Sequence, residues 1–143
     1  MNISTAKIGL CTVLGAVGSF IASFFGGWSM DFQTLLIFMV VDYVSGLILA
    51  GVFKKSEKTK SGALSSNVGF KGLCKKIGIL FCVLIAYRLD ISIGTEYIRT
   101  AVIIAFIANE AVSIVENVGL MGVPIPPAIL KAIDVLKNKK END

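Results

Sequence analysis

Between Lys7 and Asp31 the chain runs for 23 residues, Ile8 to Met30, without a charge. A helix needs about 20 such residues to cross the hydrocarbon core of a bilayer. Backbone in lipid must satisfy its own hydrogen bonds, so this run can only be helical. A secretory signal has a shorter apolar core and a small-residue cleavage site. "FFGGWSMDF" offers no such site, and the run reads as a retained anchor with Trp28 at the outer interface.

The rest of the chain repeats the theme. Of 143 residues, 55 % are hydrophobic and 17 % charged, more apolar surface than a soluble domain of this size can bury. A second span covers 32–53 and contains "VVDYVSGLILAGVF", interrupted only by Asp42. A third apolar stretch begins cleanly at Ile77 but meets Arg88 and Asp90 after Tyr87. It therefore either includes those charges or starts near Gly72, with Lys75 and Lys76 snorkelling towards water. The working span is 72–93, and a fourth covers 99–121. The expected architecture is an all-α integral membrane protein of about four transmembrane helices, forming one membrane domain over 1–143.

Lysines orient it. The segment from Lys54 to Lys76 holds Lys54, Lys55, Lys58, Lys60, Lys71, Lys75 and Lys76 against one acid, Glu57. The tail adds Lys131, Lys137, Lys139 and Lys140, whereas the opposite connections offer only Arg88 and Arg99. The positive-inside rule puts both termini and the basic 54–71 loop in the cytoplasm, against anionic headgroups. The loop lacks arginine and interleaved aromatics, so nucleic acid is not an expected partner.

Small residues mark packing faces. Gly18, Ala22 and Gly26 recur at four-residue spacing in the first span, as do Gly46 and Ala50 in the second. Such residues let helices approach closely in lipid, within one subunit or between subunits. The three cysteines are too scattered for a disulfide framework or a metal site and read as reduced, buried, small apolar residues. Beyond the fourth span, the 123–143 tail opens with Pro124, Pro126 and Pro127, which end the transmembrane helix. Ile129, Ile133 and Leu136 then share one face opposite Lys131, Asp134 and Asn138, the pattern of a short amphipathic helix on the inner surface.

Charges inside the spans carry the chemical question. Asp42 and Glu110 lie near the centres of spans two and four, and Asn109, Ser113, Glu116 and Asn117 extend a polar stripe around Glu110. An ionisable group at the bilayer centre costs about 2.5–3.5 kcal/mol and normally faces a partner or a wet cavity. Two readings follow: an ion-pair cluster in which Arg88 neutralises an acid, or a stripe lining a path or an oligomer interface. No nucleophile–base pair, metal cluster or phosphate loop suggests an enzyme, and no cofactor is expected.

The order "DYVSGLILAGVFKK", "GFKGLCKK", "RLD" and "NEAVSIVENVGLMGVPIP" resembles the phage holin family that includes clostridial toxin-secretion holins. Its most specific element is E-x-x-S-I-x-E-N, at Glu110, Ser113, Glu116 and Asn117, followed by G-x-P-x-P at Gly122 and Pro126. The likeness covers about Asp42 to Leu130, and the first span matches only in being apolar. It implies a small protein that forms homo-oligomers in the bacterial cytoplasmic membrane and opens lesions. These release an endolysin or a large toxin as cargo. Members are often drawn with three spans, a count that stands beside four. A small proton- or cation-coupled transporter using Glu110 or Asp42 is the alternative.

Overall fold

The computed structural model describes residues 3–141, without the side chains of Ile3, Lys140 and Glu141; Lys140, expected to be a basic tail residue, thus lies outside the described side chains. The described residues form five α-helices: α1 (Ile3–Ser23), α2 (Met30–Ile48), α3 (Ser66–Ile93), α4 (Ile98–Leu120) and α5 (Pro127–Glu141). A π-helical turn, Leu49–Phe53, extends α2 and stops at Lys54, whose left-handed backbone (φ 52°) breaks the helical path. Three of these segments, Ser4–Ser23, Met30–Phe53 and Ile98–Leu120, are long and apolar enough to cross a membrane. The 28-residue α3 is long enough, at about 42 Å by helical rise, but carries Lys71, Lys75, Lys76, Arg88 and Asp90.

Several boundaries move. The first helix ends at Ser23, not near residue 30, because Gly26 and Gly27 take left-handed conformations (φ 84° and 89°) in the turn to α2. Gly26 is thus a turn residue and not a helix-packing one: a Cβ there would lie 2.9 Å from Arg99 Nε and Tyr87 Cε2. The third helix begins at Ser66, six residues before the expected start, which shortens the basic loop to 54–65. Gly94 closes it in a left-handed conformation (φ 80°), its N–H and that of Thr95 donating to the Asp90 carbonyl. This is the usual use of glycine just past a helix end.

Helix α4 is the axis, with α2 and α3 packed on it and α5 folded back along it. The core is Phe32, Leu35 and Met39 of α2, Val83 of α3, and Ile103 and Ile107 of α4. All six lie in the half of the bundle near the N-terminal ends of α2 and α4. Gly46 faces Asn117 of α4 (3.7 Å from its Cβ position) and Ala50 is buried, so these two do serve packing within the subunit.

The first helix differs. Ala22 is buried, and Phe25 beyond it stacks on Phe32 with ring centroids 5.2 Å apart, but the apolar side chains from Ile8 to Ile21 face outward. Nothing lies within 4 Å of the Cβ positions of Gly15 and Gly18. Cys11, Cys74 and Cys82 are free as expected but exposed, because each points away from the α2–α4 contact. The amphipathic α5 forms where expected, with Pro127 in its first turn. Of its expected apolar face, Ile133 is buried and Leu136 packs on the core, because the 121–126 turn reverses the chain, while Ile129 stays exposed.

Candidate functional site

Asp42 lies 12 residues from the start of α2 and Glu110 lies 12 from the start of α4. The two helices run parallel, so both carboxylates sit about 18 Å along their helices. Between them reaches Lys76 of α3. Its Nζ donates to Asp42 Oδ2 at 2.7 Å and to Glu110 Oε2, making an ion pair with each. Asn117 Nδ2 completes the cluster, donating to Ser45 Oγ (2.9 Å) and Asp42 Oδ1 (3.3 Å). Asp42, Ser45, Glu110 and Asn117 are all buried. Among the described residues no buried side-chain nitrogen or oxygen lacks a hydrogen-bond partner.

The neutralising cation is therefore Lys76, not Arg88. Arg88 is exposed near the far end of α3, two helical turns or more from the acids. The cause is the early start of α3: with Ser66 as its first residue, Lys76 lies nearly three turns inside the bundle and not at its rim. A charge balance held the clue, since two acids at one depth demand a cation at that depth, and the serine pair before "NVGFKG" is a helix-start signal.

The expected polar stripe of α4 divides in two. Glu110 and Asn117 turn inward to the cluster, while Asn109 and Glu116 are exposed and Ser113 is half-buried. Asn109 and Ser113 line a cleft of about 410 Å³ between α2 and α3, floored by α4. The cleft begins at Ser56, Lys58 and Ser65 beside the basic loop and reaches Asp42, Lys76 and Glu110. Ile79 and Phe106 end it, and the apolar core lies beyond.

A second polar cluster ties the other end of the bundle, and its Arg99 was missed as a site residue. Asp90 lies there, away from Asp42 and Glu110. It accepts hydrogen bonds from Thr95 Oγ1 (2.6 Å), Ile98 N (3.1 Å) and Arg99 N (2.8 Å), capping the first turn of α4 from a neighbouring helix. The buried Arg99 side chain donates to the Phe25 carbonyl and to Ser29 Oγ (2.8 Å), and faces Asp31 Oδ2 at 3.8 Å. It also lies over the Phe32 ring, 5.7 Å from the centroid. One guanidinium fork thereby fixes the α1–α2 turn on the start of α4.

Helices of this length and hydropathy, with Asp42 and Glu110 paired internally to Lys76, define an all-α membrane protein. Residues 19–138 match the bacteriophage holin family, and the chain belongs to it. Relatives have the same extent. An uncharacterized protein of Clostridium perfringens is 38 % identical over 134 residues, covering 91 % of this chain and 93 % of its own length. One from Listeria innocua is 39 % identical over 138 residues, 96 % of this chain and 89 % of its own. YqxH of Bacillus subtilis is 32 % identical over 108 residues, 75 % of this chain and 71 % of its own. No solved structure matches.

Proposed function

We propose that this chain acts as a holin: it gathers into homo-oligomers in the bacterial cytoplasmic membrane and opens lesions that release an endolysin or a large toxin, without binding that cargo. Beside family membership, the observation that carries the reading is the fully paired cluster of Asp42, Lys76, Glu110 and Asn117. A subunit with these groups satisfied internally is stable in lipid. The same groups, drawn apart as subunits gather, supply a wettable lining.

The topology that suits this role has both termini and the basic loop in the cytoplasm and four crossings. The third crossing is supported by packing. Gly69 and Gly72 near the start of α3 lie against Tyr43 in the middle of α2, and Asp90 near its end caps α4, so α3 runs beside α4 from the depth of Tyr43 to the first turn of α4. A bilayer crossed by α2 and α4 is crossed by α3 too.

The cleft that reaches two carboxylates also favours a second reading, a small proton- or cation-coupled transporter using Glu110 or Asp42. One experiment separates the two. The chain is expressed in bacteria with and without a cytosolic muralytic enzyme, while culture turbidity is followed. Abrupt clearing only with the enzyme supports a holin. Steady turbidity in both cultures, with the protein present in the membrane, rejects it.

A further inference from the structure

The cleft has features that lesion formation does not use. Besides Lys76, its walls carry two lysines, Lys58 from the loop and Lys75 from α3. Neither makes an ion pair among the described residues, and the nearby carboxylates of Asp42 and Glu110 are already held by Lys76. The loop hydroxyl of Ser56 and the Ser65 hydroxyl at the start of α3 also line the opening. Below this rim Leu47, Val68, Ile79 and Phe106 give the cleft an apolar strip, beside the polar groups of α4 and the Asp42–Lys76–Glu110 cluster. Gly69 and Gly72 keep the passage wide, since each faces the Tyr43 ring without a side chain of its own.

We infer that the cleft is a binding site for one anionic phospholipid of the cytoplasmic leaflet, its phosphate between Lys58 and Lys75 and the start of one acyl chain along Leu47 and Val68. Charge decides the headgroup: two cations without acid partners favour a net negative lipid over a zwitterionic one. The apolar wall decides between lipid and soluble anion, because free phosphate would leave that wall uncovered. Cleft shape agrees, for α2 and α3 each pack chiefly on α4 and the cleft lies between them. The inference rests on the membrane placement alone, so it stands or falls separately from lesion formation.

The test uses the full chain in vesicles. Trp28→Phe removes the only tryptophan and Leu47→Trp places a reporter on the cleft wall. Quenching is compared for phosphatidylglycerol and phosphatidylcholine with brominated acyl chains. The expected result is several-fold preferential quenching by the anionic lipid. That preference should be lost in Lys58→Gln/Lys75→Gln. It should persist in Lys54→Gln/Lys55→Gln, which removes the same charge from residues outside the cleft. Equal losses in the two double variants would show only diffuse attraction to the loop and overturn the inference, as would no preference in the parent. Relief of the preference by millimolar inorganic phosphate would assign the lysines to a soluble anion, against the inference. Should Lys58→Gln/Lys75→Gln fail to insert, Lys58→Gln alone, in the exposed loop, gives the same comparison against Lys54→Gln.

Discussion

Replacing Lys76 by glutamine isolates the energetic role of the mid-depth cluster. The native cluster holds two carboxylates and one ammonium, with Asn117 donating to Asp42. Lys76→Gln leaves both acids buried without a cation. Removing one partner of a buried ion pair costs about 3–5 kcal/mol. Glu110→Gln is different, since it leaves Lys76 paired with Asp42 and an amide that can still accept a hydrogen bond. That change should cost about 1–1.5 kcal/mol, the scale of one hydrogen bond. The double variant Lys76→Gln/Glu110→Gln keeps one lone acid, hydrogen-bonded by Asn117, and should be more stable than Lys76→Gln alone. The assay is thermal unfolding of the purified protein in detergent, with membrane level checked by immunoblot. A loss of 3–5 kcal/mol should lower the midpoint by on the order of 10 °C. Lys76→Gln melting with the parent, or Glu110→Gln proving the more damaging change, would refute the argument that Lys76 neutralises the pair.

Two glycine substitutions should part company. Gly26→Ala forces a left-handed backbone and a clash with Arg99 and Tyr87, so a loss of about 1–3 kcal/mol is expected in the same melt. Gly18→Leu meets nothing within the subunit and should leave the melting point unchanged while reducing cross-linked oligomers in membranes; unchanged cross-linking would remove the small-residue stripe from assembly. For topology, single cysteines at Ser61 and Thr95 in a cysteine-free background are treated with an impermeant thiol reagent in intact spheroplasts, and labelling is expected at 95 alone. Deletion of 137–143 retains the Ile133 and Leu136 anchors of α5, so leakage should begin at an altered time but still occur; a truncated chain that inserts normally and never releases enzyme would contradict this.

Much of the fold follows from local rules that a sequence displays directly. Uncharged runs of membrane-spanning length dictate helices, because lipid offers the backbone no alternative partner. The tail prolines lie between α4 and α5, and Pro127 opens α5. The two central acids announce a polar site, since nothing else explains their presence in an apolar run. What sequence could not decide was how these groups pair, because pairing depends on register between helices far apart in the chain. Lys76 looked like a snorkelling residue and Arg88 like the neutralising one. A start of α3 six residues earlier put Lys76 between Asp42 and Glu110 and left Arg88 outside. The same logic made Gly26 a turn residue, made Arg99 the clasp on the α1–α2 turn and folded α5 onto α4. Hydropathy is a property of each segment and survives without neighbours. Ion pairing, capping by a remote carboxylate and the cleft beneath the basic loop are relations between segments, and only the packed bundle fixes them.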